Sequence, residues 1–511
     1  MSRTVRASIA AGFSYAHVGV SVIAGLWLVP FTLSHVGARS YGLWLASGEL
    51  LAYAGLAELG MLVTLPWLIA QADGQGDRAR VRMLVSTGAA AAALSALAYV
   101  ALAVVLWTQL PRVLHLGEAE RASVQGPLLI VAIAGCVSHP LRAFNAVLAG
   151  LQDVRFNGFV SLTNWLIGFV IAVSLLINGY GLYALAIAAA VPPIITGAAA
   201  VIRLRTIAPD LLHGWPRPAA ADIRRLFVEG VGTWIGGWGW RLIAASDSLV
   251  LAALGRPAQV AALACTSKLA QAMVQLSWIP CDNGLIGLAQ LSAEGQTRRL
   301  REALVVMVRV YLALAGAVAC VIVAVNPAFV RQWVGPEMFA GPIANSLIAL
   351  LAIAMSFGHA VAVIPSVLGR RLAIGAATMI CGVLHLGLAW LLGHRFGVPG
   401  VVAAGVISHG VVFSALAWKP FARATGTSQF SLLSDVLSPW GVRMAPMALL
   451  AFAVQRLIGT PPLPAAIAAG GLVGAAVLLY MRPLYIEFGP VRALYDRLTR
   501  SWRASHEGAH P

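Results

Sequence analysis

Long apolar runs separated by short polar punctuation cover nearly the whole chain. Runs near 9–33, 43–70, 84–108, 124–150, 157–177, 181–201, 227–253, 259–290, 303–325, 341–368, 372–392, 399–417, 441–458 and 464–481 are each long enough to cross about 30 Å of hydrocarbon as a helix. Backbone in lipid must satisfy its own hydrogen bonds, so runs of this length predict transmembrane helices. The pattern therefore predicts an all-α polytopic membrane protein with about fourteen spans.

The pattern also repeats. Ile69-Ala70-Gln71, followed by Gly76, Arg80 and Arg82, recurs 219 positions later as Leu288-Ala289-Gln290, followed by Gly295, Arg299 and Arg301. Val147-Leu148-Ala149-Gly150 recurs at the same offset as Ser366-Val367-Leu368-Gly369, and Gly181 recurs as Gly400. Internal duplication in a many-helix membrane chain is a usual construction for a transporter. The expected organisation is a six-helix lobe over 1–201, a cytoplasmic linker over 202–226 and a second six-helix lobe over 227–417. A basic connection and two extra spans (418–481) and a basic tail (482–511) follow. Leu494, Tyr495, Leu498 and Trp502 give that tail the spacing of an amphipathic surface helix or leave it a frayed end.

Composition agrees: the chain is 59% hydrophobic and only 11% charged, where a soluble domain carries about 25% charged residues. The net charge of +16 is concentrated in the loops and tails of one side. That asymmetry is the positive-inside signature and predicts both termini in the cytoplasm. It points to anionic lipid as a partner rather than to nucleic acid. The first run passes through Trp27 and Pro30 and is expected to be uncleaved. Five cysteines all fall within predicted spans, with no metal-ligand spacing. No phosphate-cradling glycine loop, nucleophile–histidine–acid order or segment large enough for a soluble catalytic domain stands out, so no enzyme, metal or cofactor is expected.

Charge inside a span is costly and usually has a function. On the eighth run Lys268, Gln271, Gln275, Trp278 and Asp282 share one narrow helical sector. Such a stripe faces either a wet cavity or a neighbouring helix. Arg241 lies at mid-depth on the seventh run, with Trp234, Trp238 and Ser248 on its face. A guanidinium suits phosphate and pyrophosphate through its planar fork, and the indoles suit either sugar stacking or an interfacial belt. The plainer reading of Arg241 is an ion pair with Asp247 or Glu49. Glu49 is the repeat counterpart of Lys268, which makes the two a candidate gate pair. Glu58, on the opposite side of an ideal helix, precedes Leu59-Gly60 and suits a helix irregularity. Ser138, Arg142 and Asn145 align on the fourth run, where Arg142 either lines a cavity or snorkels. Asn157, Ser161 and Asn164 align on the fifth. His17, flanked by Ser14 and Ser21, is the best placed of the scattered intramembrane histidines for carrying protons.

Val36-Gly37, Tyr41-Gly42-Leu43-Trp44, Glu58-Leu59-Gly60, Ile69-Ala70-Gln71 and Gly76-Asp77 resemble the polysaccharide-biosynthesis branch of the multidrug/oligosaccharidyl-lipid/polysaccharide exporter superfamily, the O-antigen and exopolysaccharide repeat-unit flippases. Ser246-Asp247-Ser248-Leu249-Val250 and the glycine turns at Gly179-x-Gly181 and Gly397-x-x-Gly400 agree. Two positions depart: Glu58 stands where the family often has Asp, and Gln259-Val260-Ala261-Ala262-Leu263 replaces an expected glycine–tyrosine pair. The resemblance implies movement of an undecaprenyl-pyrophosphate-linked oligosaccharide across the bacterial inner membrane by alternating access, driven by H+ or Na+, alongside polysaccharide polymerase or export machinery. Arg241, Lys268 and Arg142 are then the expected head-group contacts. Gln271, Gln275, Asn164 and Trp238 are the expected sugar contacts. Glu49, Asp247, Asp282, Glu58 and His17 are the expected gate or ion-coupling groups. The competing expectations are a lipid II flippase, a cation-coupled multidrug exporter and, from another class, a membrane glycan polymerase or ligase.

Overall fold

The computed structural model describes residues 3–486 except 59, 219, 283–284, 286–287, 289–290, 292–294, 427, 429–430, 432 and 460; for 3–16, 18, 154, 280 and 433 it describes the backbone alone. The tail helix expected around Leu494–Trp502 and the motif residues Leu59, Ala289 and Gln290 lie outside the described residues.

The described residues form helices and no strand. In chain order they are α1 (Arg3–Ala52), α2 (Met61–Gly74), α3 (Arg78–Val113), α4 (Glu118–Gly150), α5 (Val154–Ile177), α6 (Leu182–Ile207), α7 (Ala220–Ala253) and α8 (Pro257–Asp282). There follow α9 (Thr297–Trp333), α10 (Pro342–Val367), α11 (Arg371–Phe396), α12 (Val398–Val406), α13 (Ser414–Thr425), α14 (Ser438–Ile458) and α15 (Leu463–Met481). Among the described residues eleven stretches are long and apolar enough to cross a membrane, so the chain is a multi-pass membrane protein. α7 and α8 lie outside those eleven; Arg241, Asp247, Lys268 and Asp282 interrupt their apolar runs.

Two of the expected spans are joined and then broken differently from their apolar pattern. α1 runs through the first run and into the second, kinked at Gly37, where φ is 76° and a side chain would be strained. The second run then leaves α-geometry in a 3₁₀ turn over Tyr53–Glu58, and the chain turns at Gly60 with φ 71° before α2 begins. The helix irregularity expected at Glu58 is therefore present, and it divides that run in two.

The duplication is visible in backbone detail. Gly76 and Gly295 both have positive φ, 73° and 69°. Asp77 and Gln296, again 219 apart, both serve as N-caps, with φ/ψ of −79°/78° and −78°/62°. α3 and α9 start from these turns, and the last residues of α5 and α11, Ile177 and Phe396, stand at the same offset.

The chain divides into two compact units, one of Met1–Ala261 with Thr378–Trp390, the other of Ala262–Ala377 with Leu391 onward. In the first unit α4 packs on α6 and α3, α5 on α6 and α1, and α7 on α1 and α2. One buried cluster of this unit joins Leu65 and Ile69 to Leu84, Val147, Leu148, Leu204 and Leu226. Lipid tails are as apolar as leucine, so burial from water does not hold such helices together; close van der Waals contact does, and small residues permit it. Gly88 receives Leu65 and Gly150 receives Ile69, at places where a Cβ would stand 2.4 and 2.7 Å from the partner's side chain. In the second unit α9 is the central post, packed by α10, α14 and α15.

Candidate functional site

In the first unit the polar residues of the membrane region collect where the broken helix meets α7. Arg241 Nη1 donates to Glu49 Oε2 at 2.9 Å, with the two side chains 35% and 34% exposed. Of the two partners weighed for Arg241, the structure selects Glu49. Asp247, too far around α7 to reach it, faces His385 Nε2 at 3.2 Å. The Tyr53 hydroxyl donates to the Arg241 carbonyl at 3.3 Å. Trp234 Nε1 donates to the Leu56 carbonyl at 2.7 Å, an acceptor within the 3₁₀ turn. The Trp238 ring lies 5.9 Å from that of Tyr53 and edge-on to Trp234, and its indole nitrogen is enclosed without an acceptor among the described residues. Arg241 thus sits beside aromatic surface, held by a carboxylate that water can reach.

The second carboxylate of the broken segment goes elsewhere. Glu58 Oε2 lies 3.0 Å from Arg142 Nη2; the acid is 10% exposed and the guanidinium 47%. Arg142 therefore neither snorkels alone nor stands free in a cavity. It neutralises an acid at the helix break, where an unpaired carboxylate would be expensive. One turn earlier on α4, His139 Nε2 lies 3.1 Å from Ser95 Oγ and the ring stacks near Tyr99. Glu49 and Glu58 serve different arginines, as their opposite positions on a helix predict.

In the second unit the α8 stripe is open: Lys268, Gln271, Gln275, Trp278 and Asp282 are all exposed or half-exposed. Lys268, Gln271 and Gln275 have no hydrogen-bond or ion-pair partner among the described residues. One end of the stripe is a compact cluster. Asp282 Oδ1 accepts from the Tyr311 hydroxyl at 2.5 Å and lies 3.0 Å from His359 Nε2. The His359 ring is stacked on Trp278 at 4.0 Å, 2° from parallel, and Trp278 Nε1 donates to Ser356 at 3.2 Å. Asp282, an expected coupling carboxylate, thus gains two partners that sequence spacing did not supply, because each comes from a different helix.

Asn164 is buried and its amide donates to Thr196 on α6. Glu49 pairs with Arg241. His17 is half-buried on α1. Among the described residues no group of three or more metal-ligating side chains converges.

No protein-family model and no curated protein matches this sequence. Solved structures do match in fold. An inward-facing multidrug resistance MATE family transporter of the MOP superfamily matches with a TM-score of 0.59 and 13% identity, over 79% of this chain and 98% of that one. An outward-facing multidrug resistance MATE family transporter of that superfamily matches at 0.58 and 14%, over 80% and 94%. Lipid II flippase MurJ in an inward closed conformation matches at 0.64 and 14%, over 93% and 98%. At these identities the likeness is one of architecture, and it is specific: this chain has the fold of MATE transporters of the MOP superfamily and of a lipid II flippase.

Proposed function

We propose that this protein is a flippase that carries an undecaprenyl-pyrophosphate-linked oligosaccharide repeat unit across the bacterial inner membrane by alternating access, for surface polysaccharide synthesis. The observation that carries the reading is Arg241: a guanidinium on α7, near indole and phenol rings, whose partner among the described residues is an accessible carboxylate. A pyrophosphate offers that fork the same bidentate chemistry with more charge. Aromatic faces beside it suit sugar rings, and the lipid tail can remain in the bilayer. Lys268, Gln271 and Gln275, without partners among the described residues, give the open face of α8 donors of the same kind. The six-helix repeats over 1–201 and 227–417 are the bodies that alternate, with both termini on the cytoplasmic side. H+ or Na+ is the driving ion, taken at Asp282 with His359 or at Asp247 with His385. Anionic lipid and a polysaccharide polymerase or export assembly are the partners.

The test is deletion of the gene followed by measurement of lipid-linked oligosaccharides in each leaflet. Complete repeat units should accumulate on the cytoplasmic face, and the wild-type gene, but not Arg241→Ala, should clear them. Unchanged lipid-linked pools with altered sensitivity to cationic drugs would replace this reading with multidrug export.

A second reading, lipid II as the cargo, is favoured by the coverage of the structural match: 93% of this chain for the lipid II flippase against 79% for the MATE transporter. The same measurement separates the two, since accumulation of lipid-linked peptidoglycan precursor would assign lipid II.

A further inference from the structure

We propose that residues 42–58, with Gly60, form a latch on α7 and the start of α8, and that a phosphoryl head group opens it by taking Arg241 from Glu49. The segment lies antiparallel along α7 and contacts it repeatedly. Just beyond the end of α7, Gly42 meets the backbone of Pro257, the first residue of α8, where there is no room for a Cβ. At the other end Gly60 and Gly230 meet reciprocally: a Cβ on Gly60 would stand 2.6 Å from the Gly230 oxygen, and one on Gly230 2.5 Å from the Gly60 oxygen. Between them lie Glu49–Arg241, Tyr53 on the Arg241 carbonyl, and Trp234 on the Leu56 carbonyl.

This contact differs in kind from the leucine-rich cluster around Leu65 and Ile69. Its ends bring backbone against backbone, Gly42 at Pro257 and Gly60 at Gly230. Its middle is polar, and two of its three bonds end on backbone carbonyls that water can serve as well. Such a surface can part and re-form without repacking a core. The one strong attraction is the ion pair, and about a third of each side chain is open to solvent. A pyrophosphate arriving there competes with Glu49 for a single guanidinium. Glu58, held by Arg142 of α4, keeps the freed segment attached to the rest of the first unit. Binding would thereby be converted into movement of the segment, because the ligand has affinity for Arg241 only when Glu49 has let go.

The trigger rests on the pyrophosphate reading above; the latch does not. The test pairs Leu56→Cys with Gly237→Cys, positions where a Cβ on Gly237 would lie 3.7 Å from Leu56 Cδ2. Full-length protein in nanodiscs is treated with a short reducible thiol cross-linker, with each single cysteine variant as control. Binding of radiolabelled farnesyl pyrophosphate is measured on the same preparation. Cross-linking should fall severalfold when farnesyl pyrophosphate is added and not when farnesol is added. Glu49→Gln should lower it without ligand, and cross-linked protein in cells should lose function until the bridge is reduced. Bound farnesyl pyrophosphate with unchanged cross-linking overturns the exchange and leaves the substrate reading standing. Absence of binding removes the substrate reading and the trigger with it. A cross-link that leaves function intact overturns the latch.

Discussion

α3 and α9 occupy the same place in the repeat and live in different surroundings. Both begin at a positive-φ glycine and a matching N-cap, and both are long. In the most apolar stretch of α3, 28% of residues are buried; in that of α9, 78% are. The added cover on α9 comes from α14 and α15, which follow the repeat and have no counterpart before α7. The sequence has adjusted position by position. Leu97 on α3 is 70% exposed. Its counterpart on α9 is Gly316, over which Met444, Met481 and Trp440 close to within 3.5 Å of where a Cβ would be. Ala90 on α3 corresponds to Arg309 on α9, whose Nε and Nη2 both donate to the Asp435 carbonyl at 2.9 and 2.6 Å. Trp440 Nε1 adds a bond to the Leu312 carbonyl at 2.8 Å. Duplication copied the helix; the later pair of helices turned one copy from an outer post into an inner one.

The sharpest way to break this comparison is to end the chain after Gly426. If α14 and α15 are what encloses α9, the shortened protein should lose its sharp thermal transition and its monodisperse elution in detergent. An unchanged melting temperature would mean that α9 is stabilised from elsewhere.

A smaller effect should follow from exchanging the paired residues. Gly316→Leu forces a side chain under α14 and α15 and should cost about 3 kcal/mol, as overpacking does. Leu97→Gly should cost about 1 kcal/mol, the helix-propensity term alone. Equal losses in melting temperature would erase the distinction. Next, Arg309→Ala should cost about 1.5 kcal/mol by removing charged bonds to a backbone carbonyl. Limited proteolysis should then find new cleavage in the turn around Asp435, with Ala90→Ser on α3 inert in the same assay.

The smallest effect belongs to the exposed start of α3. Arg78 Nε and Nη2 donate to Asp210 at 2.8 and 3.0 Å, and that hydrogen-bonded pairing lowers the Asp210 pKa. A carboxyl group with a depressed folded pKa stabilises above its unfolded pKa, and the contribution is lost as pH falls through the folded value. Protease sensitivity of the segment around Asp210 should therefore rise only on acidification below the ordinary aspartate range. Asp210→Asn should show that sensitivity already at neutral pH. Surface pairs contribute about 0.5 kcal/mol, so a change in global melting temperature of several degrees would contradict the assignment.

Much of this architecture is legible in the order of apolar and polar residues. Apolar run lengths give the helices, because a backbone in lipid has few alternatives, and the duplicated Gly76 and Gly295 mark equivalent turns. What sequence periodicity cannot supply is pairing between helices. It places Glu49 and Arg241 inside the membrane and names one as the other's partner, yet offers no reason to prefer it beyond the wrong spacing of Asp247. Glu58 with Arg142, and Asp282 with Tyr311 and His359, join residues from separate helices, and neither spacing nor repeat offset encodes them. The repeat offset sets Glu49 against Lys268 and carries no hint of the Arg241 bond that Glu49 makes. The burial of α9 is equally hidden, since a residue that faces lipid and one that faces a helix can both be apolar; only the small residue at Gly316 gives a hint.

The enclosure of α9 has a consequence for how the surrounding bilayer is felt. A helix wrapped by protein touches few acyl chains, so lipid thickness and fluidity act on it weakly. α3 presents Leu94, Leu97, Val104 and Val105 outward, so it is wetted by those chains directly. α3 is thus a helix through which the membrane's physical state enters the first unit, while α9 is screened from it by α14 and α15, which take up the contact with lipid in its place.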